Sequence, residues 1–270
     1  MTNTGLKNNH LIILIGLFLF LVSACKKEEN NPDKSSQILN GLISYWKLDE
    51  STGTIADDET GNWDLSHTNA PSWSSAGKIN RSIDFGTSSA RYLEKTGISS
   101  GNKNTYTLAT WVNLEDGSSD GKNIMGMNSG GIAINAGAAE VKIVLLADNS
   151  LAALYHTVDG WSGPMQRISA TVLQLNIWYH VAAIIDNGNI ELYINGIKDN
   201  SNQVTNNINT NLNFSNGRVT VGNARLWDGA YIATRWFRGK IDEAAIWDRS
   251  LTPDEIVSLY NNGIGLQHPF

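Results

Sequence analysis

Short runs of β-branched and aromatic residues dominate the chain from Leu39 onward, and Gly, Asn, Asp and Ser separate them. This pattern is typical of antiparallel strands joined by turns. Within Tyr106 to Asn113, the set Leu108, Thr110 and Val112 alternates with the set Thr107, Ala109 and Trp111, as expected for a strand in a two-sheet sandwich. We therefore expect an all-β fold. The predicted strands are Leu42 to Leu48, Tyr106 to Asn113, Val141 to Ala147, Leu151 to Thr157, Trp178 to Ile185, Ile190 to Ile194, Arg218 to Val221 and Lys240 to Trp247.

Two turns and one helix have explicit sequence signals. Asp186 to Asn189 contains Asn187 and Gly188, which predict a tight hairpin, and Asn195 with Gly196 favours a type I′ turn. Thr252 and Glu255 have the spacing of a capping box, and Pro253 stands at the first helical position. We expect a short C-terminal helix that ends before Gly263.

The first 24 residues have the features of a secretory signal peptide. Lys7 supplies a positive charge, Leu11 to Val22 is an apolar run, and Ser23 and Ala24 are small. A membrane-spanning helix needs about 20 apolar residues, and the charged residues that follow Cys25 stop this run short of that length.

Leu21, Val22, Ser23, Ala24 and Cys25 resemble the lipobox of bacterial lipoproteins. The resemblance implies cleavage before Cys25 and lipidation of that residue, with a buried thiol as the alternative. Lys27, Glu28 and Glu29 resemble a tract that sends some Gram-negative lipoproteins to the outer cell surface, and a solvated charged linker is the alternative. We expect residues 25–38 to be a flexible spacer and residues 39–265 to form one domain.

Charge and cysteine content narrow the classes of partner. Removing residues 1–24 removes Lys7 alone and leaves 19 basic and 26 acidic side chains, a formal net charge of −7. We expect no nucleic-acid binding, because no basic cluster with interleaved aromatic residues is present. Cys25 is the only cysteine, so we expect no internal disulfide.

The strands also resemble a known family, the laminin G-like and concanavalin A-like lectin and glucanase jelly rolls. The residues that carry the resemblance are Gly41, Leu42, Tyr45, Trp46, Leu48, Asp49, Glu50 and Gly53; Trp73, Gly77, Lys78, Ile79, Ile83, Phe85 and Gly86; Thr107, Trp111 and Val112; Trp178, His180, Val181, Ala182, Leu192, Tyr193, Asn195 and Gly196; and Phe237, Gly239, Ile241, Asp242, Glu243, Leu251, Glu255, Ile256 and Tyr260. The resemblance implies two antiparallel sheets packed face to face, with the short helix closing one edge. Its relatives bind glycans, bind proteins or cleave polysaccharides, so the site needs a separate argument.

Catalysis is not expected. Glycosidases of this fold carry a Glu-x-Asp-x-x-Glu strand, which places two carboxylates in one cleft, and no such strand is present. Asp49 with Glu50 and Asp242 with Glu243 are adjacent residues, so alternation in a strand would point them to opposite faces. We interpret His180 as a hydrogen-bonded strand residue rather than a catalytic base.

One structural calcium ion is expected from the resemblance, with Asp49 and Asp242 as candidate metal ligands. The alternative is that the two carboxylates cap backbone amides in turns. A second site is disfavoured, because Ala90, Arg91 and Tyr92 stand where relatives carry a rim aspartate.

Aromatic residues supply the candidate ligand site. Trp46, Trp73, Trp111 and Trp178 occupy family positions and are expected in the core. The candidate ligand-binding residues are Trp161, Trp227, Tyr231 and Trp236, with Asp159, Arg225 and Asp228 as polar neighbours. Exposed rings offer flat apolar area to sugars, and polar neighbours bind hydroxyls. The alternative is that these loop tryptophans fold back over the core.

These observations predict a lipid-anchored protein of the outer membrane, exposed at the cell surface, whose jelly roll binds carbohydrate without catalysis. The expected partners are a glycan or polysaccharide and, through the lipid anchor, the membrane. The alternative is a protein-binding module for adhesion or envelope assembly, and a glycoside hydrolase comes third.

Overall fold

Strands make up most of the described chain, as the sequence predicts. The structure is a computed structural model that describes residue 1 and residues 32–86, 91–117, 122–129, 139–157, 165–204, 212–223 and 236–270. In chain order the helices and strands are α1 Pro32–Leu39, β1 Leu42–Trp46, β2 Ile55–Ala56, β3 Leu65–Thr68, β4 Ser72–Ile79, β5 Arg81–Asp84, β6 Tyr92–Ile98, β7 Asn102–Lys103, β8 Thr105–Leu114, β9 Lys122–Asn128, β10 Ala139–Leu145, β11 Ser150–Thr157, β12 Met165–Val172, β13 Trp178–Asp186, β14 Asn189–Ile194, β15 Ile197–Lys198, β16 Gln203–Val204, β17 Leu212–Asn213, β18 Gly217–Val221, β19 Gly239–Trp247 and α2 Pro253–Tyr260, followed by a 3₁₀ turn at Asn261–Gly263.

Two large antiparallel sheets form the domain. The first has the order β15-β14-β13-β8-β19-β5-β4, with β1 also pairing with β19. The second has the order β16-β12-β11-β10-β9-β18-β6-β3-β2, and β7 and β17 form a small separate pair. The predicted all-β architecture, two antiparallel sheets with a short C-terminal helix, is confirmed, and all eight predicted strands are present.

The main core lies between the two sheets. Residues of β8 such as Leu108 and Val112 are buried there in one apolar cluster with Ile143 of β10 and Val219 of β18. The period-two alternation of strand side chains therefore places one face of each sheet in the core.

The opposite face of the first sheet is also covered. A second apolar cluster joins side chains of β1, β8, β13, β14 and β19 to Ile38 of α1 and to Ile256 and Leu259 of α2. Leu266 and Phe270 of the C-terminal segment pack against the same cluster. The first sheet is therefore buried on both faces, which explains why nearly every residue of β8 is buried.

Helix α1 occupies part of the segment expected to be a flexible spacer. The compact unit begins at Pro32, earlier than the predicted domain start at residue 39. The Trp247 indole donates to the carbonyl of Ile38 at 2.7 Å, and Arg249 donates to the carbonyls of Gln37 and Asn40 at 2.7 and 2.6 Å. The spacer prediction is therefore wrong at its C-terminal end, because these contacts are long-range and the polar sequence of α1 carries no sign of them.

The predicted local signals are confirmed. Thr252 and Glu255 form the capping box, and Arg249 makes a two-bond ion pair with the Glu255 carboxylate, at 2.9 and 2.6 Å. Both Asn195 and Gly196 have positive φ, as a type I′ turn requires, and a Cβ on Gly196 would lie 3.1 Å from the Tyr260 ring. Within the described part of the chain, no helix is both long and apolar enough to span a bilayer.

Candidate functional site

A pocket of about 560 Å³ opens on the outer face of the second sheet. Its described lining residues are Asn123, Lys142, Val144, Leu146, Ala147, Asp148 and Leu154. This volume falls within the usual range for small-molecule sites, about 300 to 1,000 Å³. The second sheet is the one whose outer face is not packed under α1 and α2, so the pocket lies where the fold leaves room for a ligand.

Strand alternation places the pocket residues. Val141, Ile143 and Leu145 of β10 face the core, so Lys142 and Val144 face outward, and Leu154 of β11 pairs with Lys142. A register shift between Ile143 and Val144 brings Asn123 of β9 opposite Val144. The turn between β10 and β11 supplies the remaining lining residues.

Glycine at position 126 allows Lys142 to lie where it does. The two residues are paired across β9 and β10, and a Cβ on Gly126 would lie 2.5 Å from the Cβ of Lys142 and 2.6 Å from the carbonyl oxygen of Val141. Any other residue would push the two strands apart at the pocket.

The charged groups of the pocket have defined partners. Lys142 Nζ lies 2.8 Å from Glu140 Oε1, which is on the same strand two residues away. Asp148 Oδ1 accepts hydrogen bonds from the backbone amide and the hydroxyl of Ser150, at 2.9 and 2.6 Å. These bonds hold the pKa of Asp148 below its usual value, so this carboxylate is ionised at neutral pH.

Asn123 is the one lining side chain with a buried polar atom that lacks a partner. Its residue is 4% exposed, and Oδ1 has no hydrogen-bond partner among the described residues. An unsatisfied buried polar group costs about 1–3 kcal/mol, which makes such an atom a natural acceptor for a ligand hydroxyl.

Trp236 is the only predicted ligand-binding residue that lies within the described part of the chain. Its backbone forms an isolated bridge with Asn123, so it adjoins the Asn123 end of the pocket. The centre of its ring lies 5.3 Å from Lys122 Nζ and 5.0 Å from Arg238 Cζ, and Arg238 pairs with Asp116. The indole Nε1 is buried and has no partner among the described residues.

The other candidate ligand residues lie outside the described residues: Trp161, Trp227, Tyr231, Asp159, Arg225 and Asp228. Cys25 also lies outside them. Their predicted roles stay predictions.

The remaining tryptophans divide differently from the expectation. Trp46 and Trp111 are buried, as expected, and so are Trp247 and Trp63. Trp73 is partly buried and packs against the main core, and Trp178 is partly buried. Trp63 is held in the core because its carbonyl accepts the Trp46 indole at 2.9 Å and its amide donates to Asp58 at 2.8 Å.

The candidate calcium ligands are engaged by N–H donors. Asp242 accepts from the backbone amides of Lys78 and Ile79, at 2.8 and 2.9 Å, and from that of Glu243 at 3.0 Å. This is the geometry of the alternative expectation, in which the carboxylate caps backbone amides.

Asp49 is engaged in the same way. It accepts from the backbone amide of Arg81 at 2.8 Å and from the side-chain amides of Asn80 and Gln267 at 3.1 and 2.8 Å. Among the described residues, no group of three or more His, Cys, Asp or Glu side chains is arranged to hold a metal. N–H donors point at oxygens that an ion would need, which favours the amide-capping alternative for these two carboxylates. The calcium ion remains a prediction.

Asp242 and Glu243 do not follow simple alternation. The pairing of β19 with β8 shifts between Asp242 and Ala245, and Glu243 has a φ of 52°. The bulge interrupts the alternation on which the expectation of opposite faces rests.

Both carboxyl groups are nevertheless withdrawn from solvent. Asp242 is 0% and Glu243 5% exposed. Burial raises the pKa of Asp242 well above its usual value and raises the pKa of Glu243 to about 8. The Tyr45 hydroxyl and the Gln267 side-chain amide donate hydrogen bonds to the Glu243 carboxylate. Neither group lines the pocket.

His180 is a buried strand residue, as expected, but it is not fully hydrogen-bonded. Its ring packs 5.3 Å from that of Trp111 and 6.4 Å from that of Tyr260, and Nδ1 has no partner among the described residues. Burial lowers the pKa of His180 to about 3, so its ring is neutral in the fold.

Sequence reasoning missed the pocket itself. Lys142, Val144 and Leu154 lie in strands that were predicted, and the outward phase of Val141 to Leu145 is the signal that could have identified the first two. Asn123 carries no such signal, because β9 was not predicted and its register depends on the irregularity at Ile124 within β9.

A family model matches most of the domain. Residues 85–257, more than half of the chain, match the model Laminin_G_3, described as the concanavalin A-like lectin/glucanases superfamily. No curated protein sequence matches the chain significantly.

Solved structures share the fold at low sequence identity. Domain 4 of AbnA, a GH43 extracellular arabinanase from Geobacillus stearothermophilus solved in complex with arabinotriose, is similar with a TM-score of 0.53 and 20% identity, over 80% of this chain and 97% of that one. Trypanosoma rangeli sialidase in complex with sialic acid is similar with a TM-score of 0.58 and 15% identity, over 84% of this chain and 34% of the sialidase. The chain therefore spans about a third of the sialidase, and the likeness concerns the fold.

Proposed function

Because this chain belongs to the concanavalin A-like lectin/glucanases superfamily, we propose that its domain binds carbohydrate without cleaving it, at the pocket on the outer face of the second sheet. The superfamily fold serves both glycoside hydrolases and lectins, so the choice between them rests on the residues of this chain.

The buried Oδ1 of Asn123 carries the proposal. It lacks a partner among the described residues and belongs to a pocket that also offers the ionised Asp148 and the ammonium of Lys142. Val144 and Leu154 add apolar surface between these polar groups. A few polar groups converging on an apolar lining are what a small, hydroxyl-rich ligand requires.

The absence of catalysis is supported by where the acidic residues lie. Retaining glycosidases need two carboxyl groups about 5–5.5 Å apart, with a sugar between them. Asp148 is the one carboxylate among the described lining residues, and the interacting pair Asp242 and Glu243 is buried away from the pocket. An arabinanase domain of the same fold, solved with arabinotriose, is consistent with a binding role.

Trp236 is the aromatic residue that we assign to this site. It adjoins Asn123 through the backbone bridge and is partly exposed. We propose that Trp161, Trp227 and Tyr231, with Asp159, Arg225 and Asp228, contribute further contacts, as the sequence predicts.

A protein-binding role is the second candidate. Three exposed apolar side chains lie close together in sequence at the end of β12 and in the turn that follows: Val172 is 54%, Leu175 44% and Ile177 44% exposed. Exposed apolar side chains of this kind favour a protein partner over a sugar.

We further propose that the domain is held at the outer face of the outer membrane by lipid on Cys25. The order of apolar run, small residues and cysteine supports this proposal. The segment between Cys25 and Pro32 would then separate the domain from the lipid surface.

A glycan array tests the binding function. A soluble chain of residues 26–270, which retains α1, is applied with calcium and again with chelator. We expect binding to a set of related glycans, lost on Asn123→Leu, while thermal unfolding shows that the variant is folded. A blank array under both conditions would overturn the carbohydrate proposal in favour of a protein partner.

A further inference from the structure

The positive charge of the pocket is neutralised by a neighbouring group, whereas its negative charge is not neutralised by its contacts among the described residues. The cation of Lys142 lies 2.8 Å from the Glu140 carboxylate, so an opposite charge already offsets it. The carboxylate of Asp148 is bonded to the Ser150 hydroxyl and amide, which are neutral donors, so its negative charge is not offset by that contact. Taken together, Glu140, Lys142 and Asp148 carry a net charge of −1.

Two polar groups of the pocket lining are hydrogen-bond acceptors. Asn123 Oδ1 is a buried acceptor with no partner among the described residues, and the Asp148 carboxylate accepts only. A sugar hydroxyl donates to such groups, whereas a sugar carboxylate has no proton to donate at neutral pH and is repelled by Asp148.

The ion pair of Lys142 is built into the strand. Glu140 and Lys142 are two apart on β10 and therefore share its outward face, and both side chains are largely buried, at 25% and 18% exposed. Gly126, opposite Lys142, leaves room for its side chain against β9. The pair is thus fixed at one side of the pocket, where it is screened less than a fully exposed pair.

We propose that this pocket selects neutral, hydroxyl-rich glycans over acidic ones, with Glu140 as a specificity-determining residue that neutralises Lys142, and with Asn123 and Asp148 as the hydroxyl acceptors. This inference rests on the proposed carbohydrate function and adds the class of sugar.

The test uses matched pairs of immobilised oligosaccharides, a hexose chain and the hexuronate chain of the same linkage, with the soluble chain of residues 26–270. We expect the hexuronate member to bind at least tenfold more weakly than the neutral one. Glu140→Gln leaves Lys142 without its carboxylate, so it should strengthen hexuronate binding at least fivefold and change neutral binding less than twofold. Asp148→Asn should also reduce the preference for the hexose chain over the hexuronate chain, and it should weaken binding of the hexose chain.

Glu191→Gln is the matched control. Glu191 pairs with Lys198 on β14 and β15 of the other sheet, so the same chemical change there should leave the preference unaltered. Equal or tighter binding of hexuronates by the unmodified chain, or an unchanged preference in Glu140→Gln, would overturn this inference and leave the carbohydrate function standing. No binding to either member would overturn the carbohydrate function itself.

Discussion

Protonation of His180 should destabilise the domain below neutral pH. His180 lies in β13, is 3% exposed, and packs against the rings of Trp111 and Tyr260. Burial lowers its pKa to about 3 in the folded state. In the unfolded chain a histidine titrates near pKa 6.5.

The direction in which stability changes with pH follows from proton binding at His180. Between about pH 6.5 and pH 3 the unfolded chain binds a proton at His180 and the folded chain does not, so stability falls as the pH falls through this window. At pH 5 the free energy of unfolding is lower than at pH 7.5 by about 2 kcal/mol. The pKa of His180 in the unfolded chain sets this difference almost entirely, because pH 5 lies above the pKa in the folded state. For a domain of this size that corresponds to roughly 4–8 °C in Tm.

Other groups titrate over the same range, so a variant is needed as the reference. Burial raises the pKa of Glu243 to about 8, and a raised carboxyl pKa makes stability rise as the pH falls from 8. The His180→Phe variant keeps an aromatic ring against Trp111 and Tyr260 and removes the titrating group. Its carboxylates contribute as in the unmodified chain.

The assay is urea unfolding of both proteins at pH 7.5 and pH 5. We expect the stability of the unmodified chain, measured relative to His180→Phe, to fall by about 2 kcal/mol between the two pH values. Parallel pH dependences of the two proteins would refute the argument, because they would mean that His180 binds its proton equally well in the folded and unfolded states.

Three further predictions concern α1, the calcium ligands and the anchor. Arg249→Ala should destabilise the domain by about 2–3 kcal/mol, because it breaks the ion pair with Glu255 and the bonds to the carbonyls of Gln37 in α1 and Asn40 just after it, and hydrogen exchange should show α1 losing protection first. Chelator should leave Tm unchanged if Asp49 and Asp242 only cap amides, whereas a Tm rise with added calcium that is absent in Asp49→Asn would establish the ion. Cys25→Ser should move the protein from the membrane fraction to the soluble fraction on cell lysis, and an unchanged membrane fraction would contradict lipidation of Cys25.

The strands that sequence reasoning found are those whose own residues specify them. β8 and β13 are rich in β-branched and aromatic residues and lie at the centre of the first sheet, where both faces are apolar. β9 and β4 were missed because their composition is polar or rich in Ser and Gly, and pairing with neighbours determines their conformation. β9, for instance, holds Lys122 at 2% exposure near the Trp236 ring.

Two features near the candidate residues could not be predicted from the sequence, and for the same physical reason. Alternation assumes an uninterrupted strand, and β19 contains a bulge at Glu243, whose positive φ is unusual for a residue with a side chain. The extra residue in β9, Ile124, which brings Asn123 opposite Val144, is a feature of the same kind. Bulges depend on the partner strand, so a single sequence does not reveal where a side chain is redirected.

The contacts that stabilise the fold and the candidate binding pocket lie on different sheets of the sandwich. α1, α2 and the C-terminal segment cover the first sheet, and Arg249 joins α1 to α2 there, so substitutions on that side act on folding. The pocket, with Glu140 and Lys142 beside it, lies on the second sheet, whereas this apolar cluster is built on the first. Substitutions such as Glu140→Gln should therefore change ligand preference with little effect on Tm, and a loss of binding there can be assigned to the site rather than to unfolding.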